Sequence, residues 1–187
     1  LVGLRGFIIV QLVILGLLIG LALYLRSKQE FHVRMFIPVL MESGIYALTM
    51  GTFILFVMTD LLHIDPHLSA GGPVPPASVF DRLVLSVGAG VYEELVFRVV
   101  VLGGLLLLGV RVLKLRTWLA VLIAFAVSSL LFSIAHHVGP LGEPFRMGVF
   151  VYRFIAGLFF AFLYQFRGFA IAVYTHALYD IYVLLIG

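Results

Sequence analysis

VYEELVFRVVVLGGLLLLGV, from Val91 to Val110, carries two glutamates and an arginine in a run that is otherwise apolar. Such a run is too long and too greasy for a surface helix, and the whole chain shares its character. Of its 187 residues, 63% are apolar and 11% charged, where soluble proteins average about 45–50% and about 25%. The mean hydropathy is +1.20. A soluble globule of this size cannot hide that much apolar surface, so disorder, coiled coil and a soluble enzyme domain are excluded.

The expected fold is all-α, a polytopic transmembrane helical bundle of about six spans. Open sheet edges are forbidden in lipid, and no ten-residue alternation suggests a barrel. The spans are expected at 7–25, 36–62, 82–110, 118–135, 147–166 and 169–186. Residues 7–25 exceed the apolar core of a signal peptide and no small-residue cleavage site follows, so they read as a retained anchor. The stretch 63–80 holds Gly71-Gly72-Pro73 and Pro75-Pro76 and is the longest loop. Ser78, three residues before Asp81, predicts a helix N-terminal cap. Residues 1–80 divide off as two spans and a loop without a motif, and 81–187 as the functional core.

The net charge is +3 and the pI near 9.4. The basic residues lie in short clusters between apolar runs, a topology signal and not a nucleic-acid footprint. Arg26, Lys28, Arg34, Arg111, Lys114, Arg116 and Arg167 follow spans one, three and five, against Arg5, Arg82 and Arg146 on the other side. The first set is expected in the cytoplasm. There is no cysteine, so disulfides and thiolate metal sites are excluded. The lipid bilayer is the expected partner and nucleic acid is not.

A charge at mid-membrane costs about 2.5–3.5 kcal/mol on insertion scales. Glu93, Glu94, Arg98, Arg153, His176 and Asp180 all fall inside apolar runs, and together they exceed a domain's net stability unless they meet each other or water. They are expected to converge on an interior polar site. Glu94 and Arg98, four apart, can pair on one helix face. Glu93 lies about 100° round the helix and can face a cavity. His176 and Asp180 are also four apart, and His136 ends its span. Arg153 is expected to neutralise Asp180 or Glu94. Glu42 is expected to snorkel to the interface, and His137 to be interfacial. His63, Asp65 and His67 form H-x-D-x-H, which could face one side of an extended segment as metal ligands; a polar loop gives the same letters without a metal.

Glu93-Glu94-Leu-Val-Phe-Arg98 matches E-E-x-x-x-R, Phe132-Ser-Ile-Ala-His136 matches F-x-x-x-H, and His176-Ala-Leu-Tyr-Asp180 matches H-x-x-x-N/D. The first is the rarest by composition and carries most of the weight. In this order the chain resembles the CAAX-protease and bacteriocin-processing (CPBP, or Abi) family of intramembrane endopeptidases, to which the Ras-converting CAAX prenyl protease belongs. The resemblance covers Glu93 to Asp180.

It implies a peptidase of glutamate type. Glu93 would be the general base for a water that His136 helps to hold, Glu94 and Arg98 would support the site, and His176 with residue 180 would stabilise the oxyanion. The substrate would be a membrane-associated peptide, prenylated at a CAAX end or of leader type. No cofactor is implied. A carboxylate in a low-dielectric cavity has a raised pKa, which suits a base near neutral pH. Well-known members carry Asn where Asp180 stands. An ionised Asp cannot donate to an oxyanion, so Asp180 is expected to accept from His176 and fix its tautomer. Two other readings use the same residues. One is a divalent-metal protease with zinc on Glu93, His136, His176 and Asp180, although H-E-x-x-H is absent. The other is a non-catalytic scaffold or proton-relay transporter. The protein is expected to be a multi-pass integral membrane protein, in the plasma membrane if prokaryotic.

Overall fold

The computed structural model describes residues 33–65, 78–139 and 142–185, with isolated positions between 9 and 27. The span expected at 7–25, Gly71-Gly72-Pro73 and His67 of H-x-D-x-H lie outside the described residues. Val39 to Gly187 form one compact unit, described below; Leu1 to Pro38 form another.

All regular structure among the described residues is helical. Helix α1 is Phe36–Phe56 and runs on as a π-helix over Val57–Leu61. Helix α2, Val79–Glu94, continues through a π-helix at Leu95–Leu102, a short α3 at Gly103–Leu107 and a second π-helix at Leu108–Val112. Helices α4, Thr117–Ala135, α5, Met147–Arg167, and α6, Phe169–Leu185, complete the bundle. Among the described residues four continuous helices are long and apolar enough to cross a membrane: Phe36–Leu61, Val79–Val112, Thr117–Ala135 and Met147–Arg167. The last apolar helix is shorter.

Local chemistry sets the ends. Ser78 caps α2 by accepting from the Asp81 N–H at 3.1 Å, while its hydroxyl donates to Asp81 Oδ2 at 2.6 Å, so two groups at the helix start are satisfied reciprocally. Lys114 takes φ 51° and His63 φ 53°. Beside them the Leu115 N–H donates to Gly109 O at 2.9 Å and the Ile64 N–H to Met58 O at 2.8 Å. Both helices therefore stop in a Schellman-type turn. Gly168, φ 89°, is the single residue between α5 and α6, where a Cβ would be strained.

The core joins Met50, Ile54 and Met58 of α1 and its extension to Phe132, Ile155, Ala156, Phe160 and Ala172. α2 packs along α6, and α4 along α5. At Gly90 a Cβ would stand 2.9 Å from Ala177 N and 3.1 Å from Val173 O. Small residues at such crossings let backbones approach closely. The approach falls one turn before Glu93 and beside His176.

Candidate active site

Glu94 and Arg98 are fully buried, each 0% exposed, and pair through Arg98 Nε and Glu94 Oε2 at 2.9 Å. In hydrocarbon such a pair is held better the more of its remaining atoms are satisfied; Arg98 NH2 has no hydrogen-bond partner among the described residues. Arg98 also donates through NH1 to Ser128 Oγ at 3.2 Å, and that hydroxyl donates to Phe97 O at 2.7 Å. The other Glu94 oxygen, Oε1, accepts from His176 Nδ1 at 3.0 Å. The acid that braces its own helix thus also orients a histidine of α6.

Glu93, the neighbouring residue, is partly exposed, 24% for the side chain. Its Oε2 stands 3.5 Å from His136 Nε2 and 3.9 Å from His176 Nε2. That oxygen is buried, with no hydrogen-bond partner among the described residues. His136 follows the last residue of α4, and its Nδ1 lies 2.8 Å from Phe132 O. A carbonyl only accepts, so Nδ1 carries the hydrogen and Nε2 presents its lone pair toward Glu93 in the neutral ring. Burial, and next the Arg153 guanidinium, pushes the His136 pKa from 6.5 down to about 4, so the ring is neutral near pH 7.

Aromatic rings fix both imidazoles. Phe160 stacks on His176 at 4.5 Å between centroids and 16° between planes. Phe132 lies 4.7 Å from His136, 6.0 Å from His176 and beneath the Arg98 guanidinium at 5.2 Å. The phenylalanine of F-x-x-x-H therefore serves twice: its carbonyl holds the histidine four residues on, and its ring fills the space between the charged groups.

The six expected site residues, Glu93, Glu94, Arg98, His136, His176 and Asp180, come together. Their motifs stand at different distances from helix ends, but the hairpin brings two of them level. Glu93 stands nineteen residues before Val112 and His136 nineteen after Thr117. Two details differ from expectation. Asp180 Oδ2 is 3.6 Å from His176 Nε2, beyond a good hydrogen bond; Glu94 on Nδ1 sets the tautomer instead. Arg153 pairs with Glu143 at 2.6 Å, not with Asp180 or Glu94, because Glu143 sits in the loop that turns back over His136. Glu42 is held by Arg167 through two bonds of 2.5 and 2.6 Å. His137 bonds Glu143 O at 3.0 Å in the same loop.

Sequence reasoning missed Ser128, Glu143, Phe160 and the contact between the hydroxyls of Tyr152 and Tyr179. Ser128 had a signal, a polar residue one turn before Phe132 in an apolar helix. Phe160 is one of 17 phenylalanines and had none. Among the described residues no group of three or more His, Asp or Glu is spaced to hold a metal ion.

A buried acid aimed at two imidazoles within a membrane-spanning helical bundle is a site fit for proteolysis inside the membrane. Comparison with known families agrees: residues 75–182 match the family model described as Type II CAAX prenyl endopeptidase Rce1-like. The chain belongs to that family and is an integral membrane protease of the CAAX type. No curated protein and no solved structure matches the chain.

Proposed function

We propose that this protease hydrolyses a peptide bond of a membrane-associated substrate with a water activated by Glu93, residues 81–187 forming the catalytic core. The observation that carries the reading is the Glu93 Oε2 atom, 3.5 Å from His136 Nε2 and 3.9 Å from His176 Nε2. A water touching Glu93 Oε2 and His136 Nε2 gives its proton to Glu93. Its oxygen adds to the carbonyl carbon of the scissile bond. Glu93 then returns that proton to the departing amine as the C–N bond breaks. The products are an amine and a carboxylic acid, which keeps the second water proton until it ionises to solvent.

His176 is aimed to donate to the tetrahedral oxyanion through Nε2–H when its ring is an imidazolium, since its Nδ1–H is already held by Glu94. A donor at that point is worth several kcal/mol where water is excluded, roughly 2.7–4 by analogy with oxyanion holes. Asp180, 3.6 Å from Nε2, cannot donate to the oxyanion when ionised and accompanies the imidazolium charge instead. The substrate class is a prenylated C-terminal peptide or a leader-type peptide. The enzyme crosses the membrane several times, with the connector bearing Arg111, Lys114 and Arg116 in the cytoplasm; in a prokaryote this membrane is the plasma membrane.

Purified protein in vesicles, given a prenylated peptide with and without a strong chelator, tests the reading. Cleavage unaffected by chelation is expected. Loss of cleavage on chelation, restored by zinc, would assign the same residues to a metal. Proton flux without cleavage of any peptide would assign them to a relay.

A further inference from the structure

Arg153 belongs to none of the three motifs, yet it is a cation in the middle of α5, a helix otherwise built to face lipid and core. Its guanidinium is partly exposed, 30% for the side chain, and so is Glu143, at 24%. Among the described residues Glu143 is its one ion-pair partner, through NH2 to Oε1 at 2.6 Å. A guanidinium carries five N–H donors in a fork that fits a carboxylate through two of them. One single-point contact to a partly exposed acid leaves most of that capacity unused.

The position is beside the reacting groups. The Glu143 N–H donates to His136 O at 2.8 Å, and Glu143 O accepts from His137, so the acid is tied to the backbone that carries His136. On α5, Ser133 Oγ donates to Phe150 O at 2.7 Å, one turn before Arg153. The Tyr152 hydroxyl meets that of Tyr179, the neighbour of Asp180. Arg153 thus stands at the margin of the Glu93–His136–His176 cluster, in electrostatic reach of His136.

A protease that trims a short C-terminal piece must locate a carboxylate near the scissile bond. A free α-carboxylate is the feature that separates such an end from an internal segment. We propose that Arg153 is a positioning residue that binds the C-terminal carboxylate of the substrate, with Glu143 as the intramolecular carboxylate it displaces. The inference rests on the peptidase reading above and names the residue that would meet the substrate's C-terminus. No bond to Arg153 forms or breaks in the reaction.

The test compares one prenylated peptide as free acid and as C-terminal amide, by kcat/KM, in wild type, Arg153→Gln, Arg153→Lys and Glu143→Gln. Wild type is expected to prefer the acid by about 10- to 100-fold, the worth of a charge-assisted pair. Arg153→Gln should lose that preference by slowing the acid more than the amide. Arg153→Lys should keep part of it, and Glu143→Gln should increase it by removing the competitor. Two results would overturn the proposal: equal turnover of acid and amide by wild type, or an acid preference that survives in Arg153→Gln. Should Arg153→Gln fail to fold, the Glu143→Gln arm decides, since an unchanged acid preference there contradicts displacement. Cleavage of either peptide in every variant keeps the Glu93 reading intact whatever the ratio.

Discussion

Glu94 and Glu93 are adjacent and chemically identical, and their surroundings separate their tasks. Glu94 is fully enclosed between Arg98 and His176, whereas Glu93 keeps one buried oxygen without a described partner. Arg98→Ala strands a carboxylate in the bundle and is expected to destabilise it by about 3–5 kcal/mol, read from thermal or denaturant unfolding in detergent. Replacing both residues by leucine should recover most of that stability and still abolish cleavage, because His176 Nδ1 then loses its acceptor. Wild-type turnover by the double variant would remove Glu94 from any orienting role. His136 gives a pH prediction. Its folded pKa of about 4 lies below the ordinary 6.5, so between those values the unfolded chain takes up a proton that the native chain refuses. Stability therefore falls as pH drops from about 6.5 toward 4. His136→Gln should flatten that slope, and an equally steep slope in the variant would contradict the assignment.

At the scale of the helices, the site depends on how closely α2 approaches α6. Gly90 meets backbone atoms of Ala177 and Val173, while a Cβ at Gly88, half a turn away, meets nothing within 4 Å. Gly90→Val is expected to cost about 1–3 kcal/mol as overpacking and to cut cleavage much further, by drawing Glu94 from His176. Gly88→Ala should change neither. Equal effects of the two substitutions, in paired unfolding and rate measurements, would show that the crossing does not set the site. Much of this level was legible beforehand. The apolar runs located the four long helices Phe36–Leu61, Val79–Val112, Thr117–Ala135 and Met147–Arg167 because a bilayer imposes length, and Ser78–Asp81 announced the start of α2 through its capping chemistry. The π-helices at Leu95–Leu102 and Leu108–Val112 were not legible, because the same apolar letters wind either way and packing decides. The pairing of Arg153 with Glu143 was missed for a related reason: the loop after His136 folds back through its own backbone bonds, and spacing along a helix says nothing about that.

For the molecule as a whole, the burial cost of charge is what made the site readable. Six ionisable residues placed in apolar runs were expected to meet: Glu93, Glu94, Arg98, His176 and Asp180 do, joined by His136 from a helix end, whereas Arg153 pairs with Glu143. The hydrophobic support, Phe160 above all, was hidden among residues of its own kind. The orientation proposed from the basic connectors is open to test because the chain has no cysteine. Lys114→Cys should be shielded from an impermeant maleimide outside intact cells and Ser78→Cys labelled by it; the opposite pattern would invert the topology. The claim on which the account turns is that the Glu93 carboxylate activates the attacking water. The most direct measurement is the turnover of Glu93→Gln at saturating prenylated peptide, in bilayers, with folding verified by its melting curve. A fall of at least about 100-fold, the lower range for a lost general base, with melting unchanged is the predicted result; turnover within a few-fold of wild type would contradict it.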